Sequence, residues 1–160
     1  MLKEFSSLVK IRFSDCDPLG HLNNVKYLEY MLNAREDHVE EHYGFTYEAY
    51  AREHGCTWIA IENQIAYLKE VRANQKVHIT SKTIAIDDRT ATVELLMKDE
   101  QQKKLHAVLW IKVIYFNLKT RKSELQPKEI LEQFGHFLVE IPETSFQERV
   151  LALRKKNREH

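Results

Sequence analysis

Residues 15–24 read DCDPLGHLNN and place two acids, a histidine and two amides in one short segment. Residues 8–14 (LVKIRFS) alternate apolar and polar side chains, which predicts a half-buried strand before this segment. The residues after it have the three- and four-residue spacing of an amphipathic helix. The segment is therefore a predicted loop that leads into a helix, where free N–H groups and the helix dipole favour a negative oxygen.

A carboxylate next to such amides supplies the two parts that acyl transfer requires. One group attacks the carbonyl or activates water, and fixed donors receive the developing charge. The same residues are also common in turns: Asp15 or Asp17 can cap a turn ahead of Pro18, and Asn23 or Asn24 can cap the helix. The spacing alone leaves the catalytic and the structural interpretation open.

The composition indicates one globular domain without a general charge bias. The chain has 160 residues, 43% of them hydrophobic, and its 24 basic and 24 acidic side chains cancel. We therefore expect neither nucleic acid nor a membrane as a partner. The two cysteines, Cys16 and Cys56, are too few for a disulfide framework, and the first residues lack a signal-peptide pattern. These features predict a cytoplasmic protein.

The order of predicted elements is one strand, a long helix and then four strands. The helix is predicted from Val25 to Gly44, with an apolar stripe at Val25, Leu28, Leu32, Val39 and Tyr43. A shorter helix is predicted at 46–54, strands at 56–68, 76–86, 90–98 and 104–116, a helix at 128–134, and a solvated helix in the tail from residue 144. The polar connections at 87–89 and 99–102 predict antiparallel hairpins.

These elements form an α+β plan in which one antiparallel sheet covers the long helix. One helix cannot cover both faces of a five-stranded sheet, so we expect a partner subunit and, most simply, a two-fold dimer.

The segment VKIRFSDCDPLGHLNNVKYLEY, from Val9 to Tyr30 and followed by Ala34 and Arg35, resembles the signature of the 4-hydroxybenzoyl-CoA thioesterase family of the hot-dog superfamily. The later segments ENQIAYLKEV, YFNLKTR and PKEI are similar to that family as well. The tail from Phe137 is outside the resemblance. We therefore expect a thioesterase-like domain at 1–136 and, at 137–160, a C-terminal extension that is helical and partly exposed.

The resemblance implies a hot-dog fold, in which a curved five-stranded antiparallel sheet wraps a long central helix. It implies a homodimer or a dimer of dimers with active sites at the subunit interface. It also implies hydrolysis of an acyl-CoA or acyl-carrier-protein thioester without a metal or an organic cofactor. The catalytic aspartate of the family corresponds to Asp17, and the amides around Asn24 and Val25 correspond to the oxyanion site. The aspartate acts as nucleophile or as general base, and both roles stay open.

Other residues are assigned by the same resemblance or by their chemistry. The order His21-Leu22-Asn23-Asn24 is similar to that of fatty acyl thioesterases, which favours a fatty acyl substrate. His21 and Asn23 are also expected to contact the substrate. Tyr27 is expected to line the pocket, and Tyr30 to pack. Arg89 is the candidate contact for the CoA phosphates.

Four other interpretations compete with this one. The order His38 to His42 matches the H-x-x-E-H zinc pattern but lacks an evident third ligand, so no metal site is expected. Cys16 and His21 are a conceivable nucleophile pair, although no cation or orienting residue accompanies them. The same fold also serves as a non-catalytic acyl-CoA-binding module or as a dehydratase, and the loop does not resemble the dehydratase pattern.

Overall fold

The protein is described by a computed structural model that covers residues 2–159. The elements in chain order are β1 (Phe5–Lys10), α1 (Asn24–His38), α2 (Tyr47–His54), β2 (Cys56–Tyr67), β3 (Lys76–Ile86), β4 (Thr90–Asp99), β5 (Leu105–Asn117), β6 (Lys122–Ser123), α3 (Lys128–Phe137) and α4 (Phe146–Arg158). A π-helical turn (Val39–Tyr43) extends α1. In this part of the chain, none of the helices is long and apolar enough to cross a membrane.

The strands form one antiparallel sheet in the order β1-β3-β4-β5-β2, and β6 pairs with the end of β5. The predicted α+β plan, a long helix wrapped by a curved five-stranded antiparallel sheet, is confirmed. Both predicted hairpins are present, β3 with β4 and β4 with β5. The first strand is shorter and earlier than the predicted 8–14, because the chain leaves the sheet after Lys10 and tightens into a 3-10 turn at Phe13–Asp15.

The sheet covers a different face of α1 from the one that the periodicity predicted. The buried face consists of Tyr27, Met31, Ala34, Arg35 and His38. In the predicted stripe, Val25 is 78% exposed and Leu32 is 40% exposed, while the fully buried members lie beyond the α-helical part of the segment. The helix carries apolar side chains on two faces, and periodicity does not tell which one meets the sheet. A second apolar stripe therefore stays at the surface.

The C-terminal helix α4 covers part of the opposite face of the sheet. Its Phe146 and Leu153 are buried against β4 and β5. From the sequence we expected a partner subunit on this face, and the chain's own C-terminal helix occupies part of it.

A buried ion pair holds α4 on the sheet. The carboxylate of Glu94 accepts two hydrogen bonds from Arg149, at 2.8 and 2.7 Å, and one from Trp110 Nε1 at 2.8 Å. Burial alone would raise the pKa of Glu94, but these bonds and the charges of Arg149 and Lys82 lower it. Glu94 is thus a buried charge with a complete set of partners.

A buried histidine on α1 makes the stability of the fold sensitive to acid. His38 is hydrogen-bonded through one ring nitrogen to Ser81 Oγ at 2.7 Å and through the other to Ser7 Oγ at 2.8 Å. Burial, with the nearby charge of Arg35, lowers the pKa of His38 from 6.5 to about 4. Between pH 6.5 and about pH 4, His38 binds a proton in the unfolded chain but not in the folded chain. The free energy of unfolding therefore falls as the pH drops through this window.

We expect protonation of His38 to lower the free energy of unfolding by about 3 kcal/mol between neutral pH and about pH 4. Urea unfolding at a series of pH values measures it. His38→Gln should reduce the pH dependence, and the part due to buried His106, whose pKa is also lowered by burial, should remain. The exposed His136→Gln is the matched control. An unchanged pH dependence in His38→Gln would show that the cause lies elsewhere.

Candidate active site

The loop between β1 and α1 is closed on itself by backbone hydrogen bonds. The Asp17 N–H donates to the His21 carbonyl at 2.8 Å, and the Gly20 N–H donates to the Asp17 carbonyl at 2.9 Å. Gly20 has φ +83°, a left-handed conformation that glycine adopts without a steric penalty. Bonds from Leu22 to Val71 and from Ala73 to Gly20 tie the loop to the β2–β3 connection. The loop is therefore held in one conformation by its neighbours.

The carboxylate of Asp17 is oriented by main-chain amides. Its Oδ1 accepts hydrogen bonds from the N–H groups of Leu19 at 2.9 Å and His21 at 3.0 Å. Within residues 2–159, Oδ2 has no hydrogen-bond partner and the side chain is half-buried. Hydrogen bonds to an ionised acceptor are strong, so one oxygen fixes the group while the other stays open.

The start of α1 presents free amides beside this loop. Asn23 is the N-cap residue, but its side chain makes no capping hydrogen bond. The N–H of Lys26 donates to the Asn23 carbonyl at 2.9 Å, whereas those of Asn24 and Val25 find no acceptor in the described chain. Two open donors at the positive end of the helix are suited to an oxyanion.

Tyr30 has a polar role that the sequence analysis missed when it expected simple packing. Its hydroxyl donates to Asp15 Oδ2 and accepts the N–H of Arg12 at 3.0 Å. Lys26 Nζ lies 3.8 Å from the other oxygen of Asp15. These contacts anchor the beginning of the loop to α1, so Asp15 is a structural acid and Asp17 is the one with a free oxygen.

Cys16 and His21 do not form a nucleophile pair in this chain. His21 Nε2 lies 3.2 Å from Glu70 Oε2, and the thiol of Cys16 donates to the Arg12 carbonyl at 3.4 Å. Burial, together with the charges of Asp17 and Asp15, raises the pKa of the Cys16 thiol, which disfavours the thiolate.

Two predicted site residues do not line the open helix start: Tyr27 and Arg89. Tyr27 is buried beneath it, with its ring edge-to-face against Tyr67 at 4.9 Å. Arg89 lies in the β3–β4 turn, where it donates to the Ser123 carbonyl at 3.0 Å. The eleven residues of β3 span roughly 35 Å. The structure therefore brings together Asp17, His21, Asn23, Asn24 and Val25, and it does not bring Arg89 to the loop of the same chain.

His38 and His42 are engaged in separate contacts. Both ring nitrogens of His38 are bonded to serine hydroxyls, and His42 stacks on Phe5 with ring centroids 3.8 Å apart. Among residues 2–159, no group of three His, Cys, Asp or Glu side chains is arranged to hold a metal ion.

A cavity of about 200 Å³ lies between the second half of α1 and the sheet. Aromatic and aliphatic side chains line it together with the buried Arg35, and the aromatic ones are Tyr43, Phe45, Tyr47, Trp58 and Phe134. The sequence analysis did not find it, because these residues are dispersed along the chain and share no motif.

Comparison with known proteins adds to this geometry. The sequence profile of the thioesterase-like superfamily matches residues 11–134. The chain belongs to this superfamily. The long-chain acyl-CoA thioesterase FadM of Escherichia coli (strain K12) is 25% identical over 128 residues, which cover 78% of this chain and 95% of FadM. The family resemblance found in the sequence is thereby confirmed.

Several solved structures have the same fold. YbaW, a probable thioesterase from Escherichia coli, has a TM-score of 0.73, 21% identity, and coverage of 84% of this chain and 98% of its own. SAV2348 from Staphylococcus aureus, solved in complex with CoA, has a TM-score of 0.79, 18% identity and coverage of 94% of each chain. The putative oleoyl thioesterase of Lactobacillus plantarum has a TM-score of 0.77, 20% identity and coverage of 89% and 55%. The predicted hot-dog fold is confirmed.

Proposed function

We propose that this protein hydrolyses acyl-CoA thioesters to the free acid and CoA, with Asp17 as the catalytic carboxylate, acting as nucleophile or general base. The observation that carries the proposal is the carboxylate of Asp17, fixed through one oxygen by the amides of Leu19 and His21 and open at the other. It lies in the loop that leads directly to the free amides of α1.

The chemistry uses both parts of this arrangement. The thioester carbonyl oxygen accepts hydrogen bonds from the amides of Asn24 and Val25, and these donors stabilise its negative charge in the transition state by about 3 kcal/mol each. Asp17 then acts in one of two ways. It attacks the carbonyl carbon, releasing CoA thiolate and leaving an anhydride that water cleaves, or it takes a proton from the water that attacks. The geometry supports either route.

The substrate class that fits best is a fatty acyl-CoA. FadM is named a long-chain acyl-CoA thioesterase, and SAV2348 was solved with CoA. Three strongly exposed apolar side chains, Phe13, Leu19 and Val25, surround the loop. They suit an apolar acyl chain or a covering partner subunit. Arg72, which pairs with His21 in a short β-bridge, is nearer than Arg89 to bind CoA phosphates in the same chain.

We expect hydrolysis of a panel of acyl-CoAs, from acetyl to palmitoyl and including aryl thioesters, with the highest kcat/KM on fatty acyl chains. Asp17→Asn keeps the oxygen that accepts the loop amides but removes the charge, and it should lower kcat by about 10²- to 10⁴-fold. Thiol release from CoA measures both, and acyl-carrier-protein thioesters form a parallel series.

The exposed Asp37→Asn on α1 is the control, and Cys16→Ser should also stay active. A wild-type protein that binds acyl-CoA without turnover would favour the non-catalytic binding module. Full activity in Asp17→Asn would refute the assignment of Asp17.

The sheet has an edge strand that supports a homodimer or a dimer of dimers. β2 is twelve residues long and, in the described part of the chain, pairs on one side only, with β5. Residues 59–63 are all exposed, among them Ile59 and Ile61. A long exposed apolar edge is a template for pairing with another chain. We propose that two copies pair through β2 and not through the sheet face that α4 partly covers.

We expect light scattering on a sizing column to show a dimer or tetramer, and Ile59→Lys with Ile61→Lys to produce monomers through charge repulsion at the edge. Gln101→Lys, which adds the same charge in the exposed β4–β5 turn away from β2, is the control. Monomeric wild-type protein, or an unchanged oligomer in the double variant, would contradict pairing through β2.

The cysteine chemistry agrees with a reducing compartment. Cys16 and Cys56 are both free thiols, and the thiol of Cys56 donates to Glu124 Oε2 at 3.5 Å. Persisting disulfides are characteristic of oxidising compartments. A cytoplasmic location therefore stays part of the proposal.

A further inference from the structure

Arg35 is a buried cation without an acidic partner. Its side chain is 7% exposed. Nη1 donates to Ser81 Oγ at 3.0 Å, and Nη2 donates to the Tyr43 hydroxyl at 3.2 Å and to Thr83 Oγ1 at 3.3 Å. The buried Nε has no acceptor, and no carboxylate of residues 2–159 forms an ion pair with this guanidinium.

Neutral hydroxyls alone are an unusual environment for a buried charge. Removing a guanidinium from water is costly unless an anion and further hydrogen bonds compensate it. The same chain satisfies that requirement at Glu94, which Arg149 and Lys82 neutralise. At Arg35, the Tyr43 ring, 5.1 Å from the guanidinium carbon, adds only a cation–π contact. The missing component is an anion.

Arg35 lines the aromatic cavity, so an anion has room beside it. The mouth of the cavity is formed by Leu32, Glu36 and Ala60, all of them exposed. Glu36 is exposed, so solvent and salt screen its charge. The walls are aromatic and aliphatic, which selects a ligand that is apolar except at the atoms facing Arg35.

The cavity is also aligned with the candidate active site. Val25, Leu28 and Leu32 are spaced by three and four residues, so they form a surface stripe from the start of α1 to the mouth. β2 runs beside α1 in the opposite sense, since Tyr67 donates to the Asn24 carbonyl at 3.1 Å and Trp58 lines the cavity. Arg35 lies eleven residues beyond Asn24, which is about 16 Å along the helix.

We propose that this cavity binds a carboxylate carried on an apolar chain and that Arg35 is the residue that selects it. The carboxylate accepts hydrogen bonds from the guanidinium, including the unpartnered Nε, and its chain packs against the aromatic walls. Two sources have this chemistry: a free fatty acid, and the terminal carboxylate of a dicarboxylic acyl group whose thioester lies at the start of α1. Only the second source rests on the proposed thioesterase function.

Calorimetric titration tests the site without any turnover. Wild-type protein should bind decanoate about tenfold or more tightly than decanol, because a charge-assisted hydrogen bond is replaced by a neutral one. Arg35→Met should abolish this preference, and Arg35→Lys should keep part of it. Equal affinity for the two ligands, no affinity for either, or a preference that survives Arg35→Met would overturn the proposal.

A second variant covers the case in which Arg35→Met fails to fold. Ala60→Trp fills the mouth of the cavity and leaves the contacts of Arg35 in place, so it should weaken decanoate binding about tenfold or more. Gln64→Trp adds the same side chain to the opposite face of β2 and should bind decanoate like the wild type. Unchanged binding in Ala60→Trp would place the ligand elsewhere and refute the proposal.

Hydrolysis separates the two sources. If the acyl group carries the carboxylate, dodecanedioyl-CoA should be preferred over dodecanoyl-CoA in kcat/KM, and Arg35→Met should lower that ratio about tenfold. A ratio that Arg35→Met leaves unchanged overturns the dicarboxylic source. Carboxylate-selective binding in a protein that hydrolyses neither thioester would refute the thioesterase function and support the site as one for free acids.

Discussion

Burial of α1 against the curved sheet is the constraint on which the other features depend. A fully buried side chain such as Met31 contributes about 1.5–3 kcal/mol, and buried residues from Tyr27 to His38 hold the helix along its length. A helix enclosed in this way presents free amides only where it begins. The loop that enters it must therefore carry any reactive side chain, and the bonds from Leu22 and Ala73 to neighbouring backbone hold that loop in place.

Much of the fold could be predicted because its local signals agree. The four long strands lie within a residue or two of their predicted positions, since polar connections such as 87–89 separate apolar runs. The orientation of α1 could not be predicted, because apolar side chains occupy two of its faces. The buried face includes Arg35 and His38, whose polarity the tertiary hydroxyl network accommodates. The periodicity of apolar residues in the sequence carries no information about such a network.

The candidate site was predictable to the extent that it lies in one segment. The position of Asp17 follows from the family resemblance, and the structure adds why its carboxylate is fixed. Contacts between distant segments were not predictable. Tyr30 reaches back to Asp15, His21 meets Glu70, and the cavity at Arg35 is assembled from helix, strand and loop residues between 32 and 134.

Two buried charges have opposite consequences in this molecule. Glu94 is neutralised within the chain and attaches α4 to the sheet, so it serves stability. Within residues 2–159, Arg35 has hydroxyl partners only, and it lines a cavity, which is why we assign its charge to a ligand. The loop at Asp17 and the cavity at Arg35 are the two ends of one surface along α1.

The most direct test of the account is a crystal structure of the Asp17→Asn variant with dodecanoyl-CoA. The account predicts the thioester carbonyl oxygen within hydrogen-bond distance of the amides of Asn24 or Val25, and the side chain of residue 17 next to the carbonyl carbon. The acyl chain should follow Leu28 and Leu32 towards the cavity. A thioester bound away from the start of α1 would contradict the central claim.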